Sequence, residues 1–178
     1  IQILDEEELT EAQAPARLPE NAGCVVFEHV SFGYEAGKPI IRDLNFTAKR
    51  GQTVAIVGPT GAGKSTIINL LMRFYDPDHG RILLDGVDIR TLRREDLRRN
   101  MAMVLQDTWL FNGSIYDNLR YGRLDARRDE VIAAAKMAGV HHFIKTLPGG
   151  YDMEINEEGS NISQGEKQLL TIARAILK

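Results

Sequence analysis

Apolar residues recur along this chain in two rhythms, and the rhythm changes part-way through. In the first half the spacing is that of strands. Val25, Phe27 and Val30 mark one candidate, and Ile40, Ile41, Leu44 and Phe46 mark another. Thr53, Val54, Ala55, Ile56 and Val57 form a short apolar, β-branched run, the pattern of a buried strand. Ile67, Leu70, Leu71 and Phe74 then follow at helical spacing. Ile82-Leu83-Leu84 and Val87-Asp88-Ile89 flank Asp85-Gly86, which predicts a hairpin. Residues 101–105 predict one more apolar strand. Beyond Gln106 the pattern turns helical. Over 129–138, Val131, Ala134, Ala135 and Ala138 fall on one side, and over 164–178 Leu169, Ile172, Ala173 and Ile176 recur at i, i+3, i+4 and i+7. Strands, then a helix-rich insertion, then a closing helix predict an α/β core carrying a helical subdomain.

Between the apolar run at 53–57 and the helix that follows lies Gly58-Pro59-Thr60-Gly61-Ala62-Gly63-Lys64-Ser65-Thr66. It fits the phosphate-binding template of a Gly, four residues, then Gly-Lys-Ser/Thr, and both flanks are of the required type. The glycines let backbone N–H groups close around phosphate oxygens, and the helix N-terminus adds unpaired donors and partial positive charge. Lys64 would reach the β- and γ-phosphates of a nucleoside triphosphate, and Ser65 would ligate Mg²⁺. A second helix start, Asn161-Ile162-Ser163-Gln164-Gly165-Glu166, has Ser163 placed as N-cap and Glu166 three residues on, which is a capping box. The same helix end could instead bind a phosphate.

Composition narrows the field only slightly. The chain has 178 residues, one cysteine (Cys24) and a formal charge of −3, which argues against a disulfide framework and against nucleic acid as a partner. No apolar stretch approaches a membrane span, and no signal peptide is visible. Residues 1–22 have linker composition, with the acidic run Asp5-Glu6-Glu7-Glu8 followed by Pro15 and Pro19, and are expected to be a solvated tether. The start at Ile1 rather than Met suggests a piece of something longer. His141-His142 lacks partners at metal-ligand spacing and is expected on the surface or in packing. Arg90, Arg93, Arg94, Arg98 and Arg99, interrupted by Glu95 and Asp96, suggest a solvated helix face.

The phosphate loop, Val104-Leu105-Gln106-Asp107, and Ile162-Ser163-Gln164-Gly165-Glu166 running into Thr171-Ile172-Ala173-Arg174-Ala175 together resemble an ABC transporter nucleotide-binding domain. The order of three motifs is far more specific than any one. The resemblance covers 23–178 and implies an α/β P-loop NTPase core with an N-terminal antiparallel β subdomain and an α-helical insertion at about 107–163, its C-terminal part missing. It implies ATP and Mg²⁺ as ligands and an ATPase as the complete domain. Tyr34 matches the aromatic that stacks on adenine. Gly58, Pro59, Thr60, Gly61, Ala62, Gly63, Lys64, Ser65 and Thr66 match the phosphate and Mg²⁺ contacts. Gln106 matches the glutamine that senses the γ-phosphate and Mg²⁺. Ser163, Gln164, Gly165 and Glu166 occupy the signature that meets ATP held by a second domain, in a head-to-tail pair.

Residues 107–119 and Glu157-Glu158-Gly159 resemble the exporter branch of that family. This implies a membrane domain in the same polypeptide, a place at the cytoplasmic face of the cell membrane, and a docking groove that includes part of the surface around Trp109, Leu110 and Phe111. The alternative is an ABC-type ATPase without a membrane domain, acting on DNA or ribosomes. A small phosphoryl-transfer kinase would leave the stretch 163–174 unexplained.

Two departures matter. Gln164 stands where the signature has its first glycine, and Glu166 where it ends in glutamine. A carboxylate about 6 Å from a phosphate charge at an effective dielectric of ~20 is repelled by roughly 3 kcal/mol. Glu166 is therefore expected to turn back to the Ser163 N–H. The chain also ends at Lys178, before the family's strand with an Asp-Glu pair, so it is expected to hold ATP without cutting it at a useful rate alone. Asp85 does not replace that pair, because Asp85-Gly86 is a hairpin turn and no Glu follows.

Overall fold

The computed structural model describes residues 15–19, 23–105, 107–156 and 161–178. Gln106, the 157–159 loop and most of the linker lie outside the described residues. The chain divides into two compact units, Ile1–Met101 and Ala102–Lys178.

The first unit is built on an antiparallel sheet of order β2-β1-β3-β4, formed by β1 (Val25–Phe32), β2 (Ile41–Ala48), β3 (His79–Leu84) and β4 (Val87–Asp88). In β1, Phe27 and Val30 are both buried although they are three residues apart, an odd spacing that would put them on opposite faces of a regular strand. A bulge between them restores the phase, with His29 at φ 51°. The bulge brings the β1 backbone hard against β3. A Cβ on Gly80 would lie 2.3 Å from the His29 carbonyl oxygen, and Gly80 itself has φ 79°. Phe27 stacks on Phe46 at 4.6 Å between centroids. The core beneath the sheet joins Phe27, Val30 and Ile82 to Ile67 and Leu70 of α1 (Lys64–Leu71) and Leu97 of α2 (Arg94–Arg99).

The expected hairpin is present. Asp85 and Gly86 both have positive φ, at 47° and 81°. The Asp85 carboxylate accepts from the N–H groups of Gly23 and Cys24, tying the turn to the entry of β1. The helix after the phosphate loop is shorter than its apolar spacing suggests. It ends at Leu71, and Phe74 lies beyond it, because the Phe74 N–H turns back to the Asn69 carbonyl and the Arg73 N–H to that of Leu70 around a left-handed Arg73. Arg73 is buried, and its guanidinium donates to the Leu92 carbonyl and to Asp76.

Several expectations need correction. Residues 53–57 and 101–105 form no strand, and both runs are exposed apart from Met101, Val57 at 87% and Leu105 at 57%. A wholly apolar strand is stable only when ladders on its sides take its N–H and C=O groups. Among the described residues no strand pairs with either run. The described part of the linker is not a free tether. Ala16 and Leu18 pack on the first core, and the Ala16 N–H donates to the Thr91 carbonyl. Nor is the arginine series uniformly solvated, since Arg98 donates to the carbonyls of Met72 and Arg73 and lies over the Phe74 ring.

The second unit contains a two-residue pairing of β5 (Gly113–Ser114) with β6 (Glu154–Ile155), and the helices α3 (Ile115–Arg120), α4 (Arg128–Met137), α5 (His141–Thr146) and α6 (Gln164–Leu177). Val131, Ala134 and Ala135 of α4 are buried as expected. On α6 the core face is one residue out of phase with expectation. Leu170, Ala173 and Leu177 are buried, whereas Ile176 is exposed. Leu169, Leu170, Ile172, Ala173, Ile176 and Leu177 make this helix apolar over two overlapping stripes, and packing on α3 and α4 selects between them. His141 binds the Tyr151 hydroxyl at 2.8 Å, a packing role.

Asn118 is the polar knot of this unit. It is fully buried, its Oδ1 accepts from the Phe111 N–H and Arg174, and its Nδ2 donates to the carbonyls of Phe111 and Ser114. Asn118→Ala is expected to cost about 3 kcal/mol, since buried partners left unsatisfied each cost roughly 1–3 kcal/mol. Denaturant unfolding monitored by helical circular dichroism would measure it.

Candidate nucleotide site

The phosphate loop runs from Gly58 to the first turn of α1, and its geometry is set by one glycine. Gly63 is the N-cap of α1 and is left-handed, at φ 85°. A Cβ there would meet Ile41 Cδ1 at 2.8 Å and Ile40 Cγ2 at 2.9 Å, so the start of β2 packs directly under the turn. Gly61 is also left-handed, at φ 82°. Because Gly63 has no side chain, α1 starts without a side-chain cap, and its first turn carries no acid. The N–H groups of the first turn have no partner within a helix. They are left for an anion lying over the loop.

Lys64 folds back over the loop, its ammonium donating to the carbonyls of Gly58 at 2.8 Å and Pro59 at 2.7 Å. These bonds close the loop and hold a positive charge at its rim. Ser65 is exposed beside it, and Thr66 is buried. Tyr34, 32 residues earlier in the chain, is brought to the same helix. Its hydroxyl donates to Thr66 Oγ1 at 3.3 Å and accepts from Asn69 Nδ2 at 3.1 Å. Tyr75 stands edge-on to Tyr34 with centroids 5.0 Å apart. Asn69 and Tyr75 were not marked by the sequence motifs. Asn69 was detectable as the residue three after Thr66, hence on the same helix face. Tyr75 follows the helix end and carried no such signal.

The other helix start is built oppositely. Ser163 caps α6, its Oγ accepting from the Glu166 N–H, and the Glu166 carboxylate accepts from the Ser163 N–H at 2.9 Å and the Ser163 hydroxyl at 2.6 Å. Glu166 thus turns back into a complete capping box, as the charge argument requires. Gln164 donates to Thr108 Oγ1 at 3.3 Å. Gly165 has φ in the ordinary range, and a Cβ on it would meet nothing within 4 Å among the described residues. Among the described residues, no three His, Cys, Asp or Glu side chains gather into a metal site.

An uncapped, glycine-turned helix end with a lysine over it offers backbone donors and positive charge to an anion. The family model described as ABC transporter matches residues 41–178. This chain belongs to the ABC transporter family. The fatty acid ABC transporter ATP-binding/permease protein of Mycobacterium bovis is 55% identical over 175 residues, covering 98% of this chain and 28% of that protein. The Beta-(1-->2)glucan export ATP-binding/permease protein NdvA of Brucella suis is 50% identical over 178 residues, covering 96% of this chain and 30% of that protein. A solved bacterial Atm1-family ABC exporter with ATP bound superposes with a TM-score of 0.90 at 46% identity, over 99% of this chain and 31% of that one. The chain therefore spans less than a third of the length of these relatives. The fold is the α/β fold of an ABC nucleotide-binding domain, and nothing in these relatives favours a DNA- or ribosome-acting ATPase.

The capping box in this ABC domain yields a direct test. Glu166→Gln retains an acceptor for the Ser163 N–H and is expected to change stability by less than about 1 kcal/mol. Thermal unfolding would measure it.

Proposed function

We propose that this chain is the ATP-binding motor part of an ABC exporter, in which ATP binding and hydrolysis between two head-to-tail domains drive export through a membrane domain. The observation that carries the reading is the uncapped start of α1 beneath Gly63, with the Lys64 ammonium at the loop rim. The loop glycines and first-turn N–H groups bind the phosphate oxygens. Lys64 exchanges the carbonyls of Gly58 and Pro59 for the β- and γ-phosphates. The exposed Ser65 hydroxyl is the side chain of this loop suited to Mg²⁺, which would complete its shell from the phosphates and water and offset their charge. Gln106 is assigned the sensing of γ-phosphate and Mg²⁺, and Tyr34 the stacking on the base.

Ser163, Gln164, Gly165 and Glu166 are assigned to the partner domain's ATP. Gly165 supports this assignment: among the described residues nothing requires a glycine there, so its bare backbone suits an approaching external group. A membrane domain in the same polypeptide fits the ATP-binding/permease names of the relatives, and with it a place at the cytoplasmic face of the membrane. Among the described residues no helix is long and apolar enough to cross a bilayer. The surface around Trp109 suits docking to such a domain. Leu110 is core, but Trp109 is 66% exposed at a cleft of about 350 Å³ that Leu105, Tyr121, Thr171 and Arg174 also line.

Lys64→Ala is expected to weaken ATP binding roughly 10- to 100-fold, the value of a charge-assisted contact. Equal affinity of the two proteins in a fluorescent-nucleotide titration would overturn the nucleotide reading. Gly165→Ala is expected to raise the stability of α6 by up to about 1 kcal/mol, because alanine is the better helix former. The same change is expected to weaken ATP-driven pairing, which analytical ultracentrifugation would detect.

A further inference from the structure

We propose that Asn69 is a positioning residue that, together with Thr66, pins the Tyr34 ring to the phosphate-loop helix as a fixed platform for the base of a nucleoside triphosphate. The inference rests on reading Tyr34 as the residue that stacks on the base. Tyr34 lies just past β1 and is half-exposed, at 46%. A phenol in that position could leave its hydroxyl to water. Instead the hydroxyl is both donor and acceptor to one helix, to Thr66 at 3.3 Å and from Asn69 at 3.1 Å.

Two further rings pack against it. Phe32 and Tyr75 each lie 5.0 Å from it, centroid to centroid, at interplanar angles of 86° and 80°. These T-shaped contacts resist rotation of the ring about its own axis, and the tether at the hydroxyl resists swinging of the whole side chain. A stacking surface contributes most when its plane is set before the ligand arrives, because the ordering entropy has already been spent. Asn69 lies one turn beyond Thr66, and Thr66 follows Lys64 and Ser65 directly. The same short helix therefore registers the base platform against the phosphate cradle. Stacking accepts any flat base, since every base has a π-face. The platform is accordingly a device for binding nucleotides over free polyphosphates.

The test is calorimetric titration of the full chain with ATP and, separately, with inorganic tripolyphosphate. Asn69→Leu, similar in size but without a donor, and Asn69→Ala are each expected to weaken ATP binding roughly 2- to 10-fold, the value of one net hydrogen bond. Both are expected to leave tripolyphosphate affinity and the circular dichroism spectrum unchanged. In a Tyr34→Phe background, Asn69→Leu is expected to have no further effect. Tyr34→Ala is expected to weaken ATP binding about 10-fold or more and to spare tripolyphosphate. Should Tyr34→Ala act as stated while both Asn69 variants bind ATP normally, the positioning role is wrong and the base reading stands. Equal losses for ATP and tripolyphosphate in the Asn69 variants would make Asn69 a support of the helix only, which also overturns the proposal. If Tyr34→Ala has no effect on ATP, the base reading itself fails and the proposal with it.

Discussion

The start of α1 depends on a steric constraint at Gly63. Ile40 and Ile41 pack so closely under the turn that a Cβ there would force their side chains to shift, and the left-handed backbone disfavours any side chain. A helix entered this way cannot receive a Ser, Thr, Asp or Asn cap. The missing cap leaves about 1 kcal/mol of local stabilisation unrealised. The donors it would have satisfied are free for a ligand, so the local instability and the binding capacity have the same origin. Burial on the opposite face compensates. Ile67 and Leu70 enter the core under the sheet and hold α1 in place.

The antiparallel sheet therefore serves mainly as a mould. Its bulge at His29 keeps Phe27 and Val30 on one face, and Gly80 permits the close approach of β3 that the bulge demands. Ile40 and Ile41, at the entry of β2, fill the space beneath Gly63. Phe32, at the end of β1, delivers Tyr34 to the flank of α1. Strand order, helix position and the place of Tyr34 are thus consequences of one packing arrangement in the first unit.

Much of this was legible in the sequence, because the signals were local. The Asp85-Gly86 turn needs positive φ at two successive residues, and few residue pairs tolerate that. The capping box at Ser163 and Glu166 is a three-residue spacing. The apolar period of α4 gave its buried face directly. The misreadings share a different cause. Residues 53–57 and 101–105 have strand composition, but a strand exists only with neighbours to bond, and composition carries no record of neighbours. The α6 face was displaced because the helix offers two apolar stripes, and tertiary packing chose between them. The Tyr34 tether was invisible for a similar reason: Tyr34 and Asn69 are 35 residues apart, and no motif links them.

The two helix starts also differ in what recognition must overcome. At α1 a phosphate would meet donors without a side-chain cap and would displace the Lys64 contacts to the loop's own carbonyls. At α6 the Ser163 hydroxyl points its proton at the Glu166 carboxylate, a short charge-assisted bond, so the serine must surrender that bond before donating to any phosphate. The backbone N–H groups of Gln164 and Gly165 face no such competition from the box, since Ser163 Oγ accepts from the N–H of Glu166. On the proposed pairing, then, backbone donors in the first turn make the first contact, and the serine follows only if Glu166 releases it. A carboxylate in place of glutamine at this position does not abolish an anion site. It divides recognition into a backbone step that is already prepared and a side-chain step that must be switched.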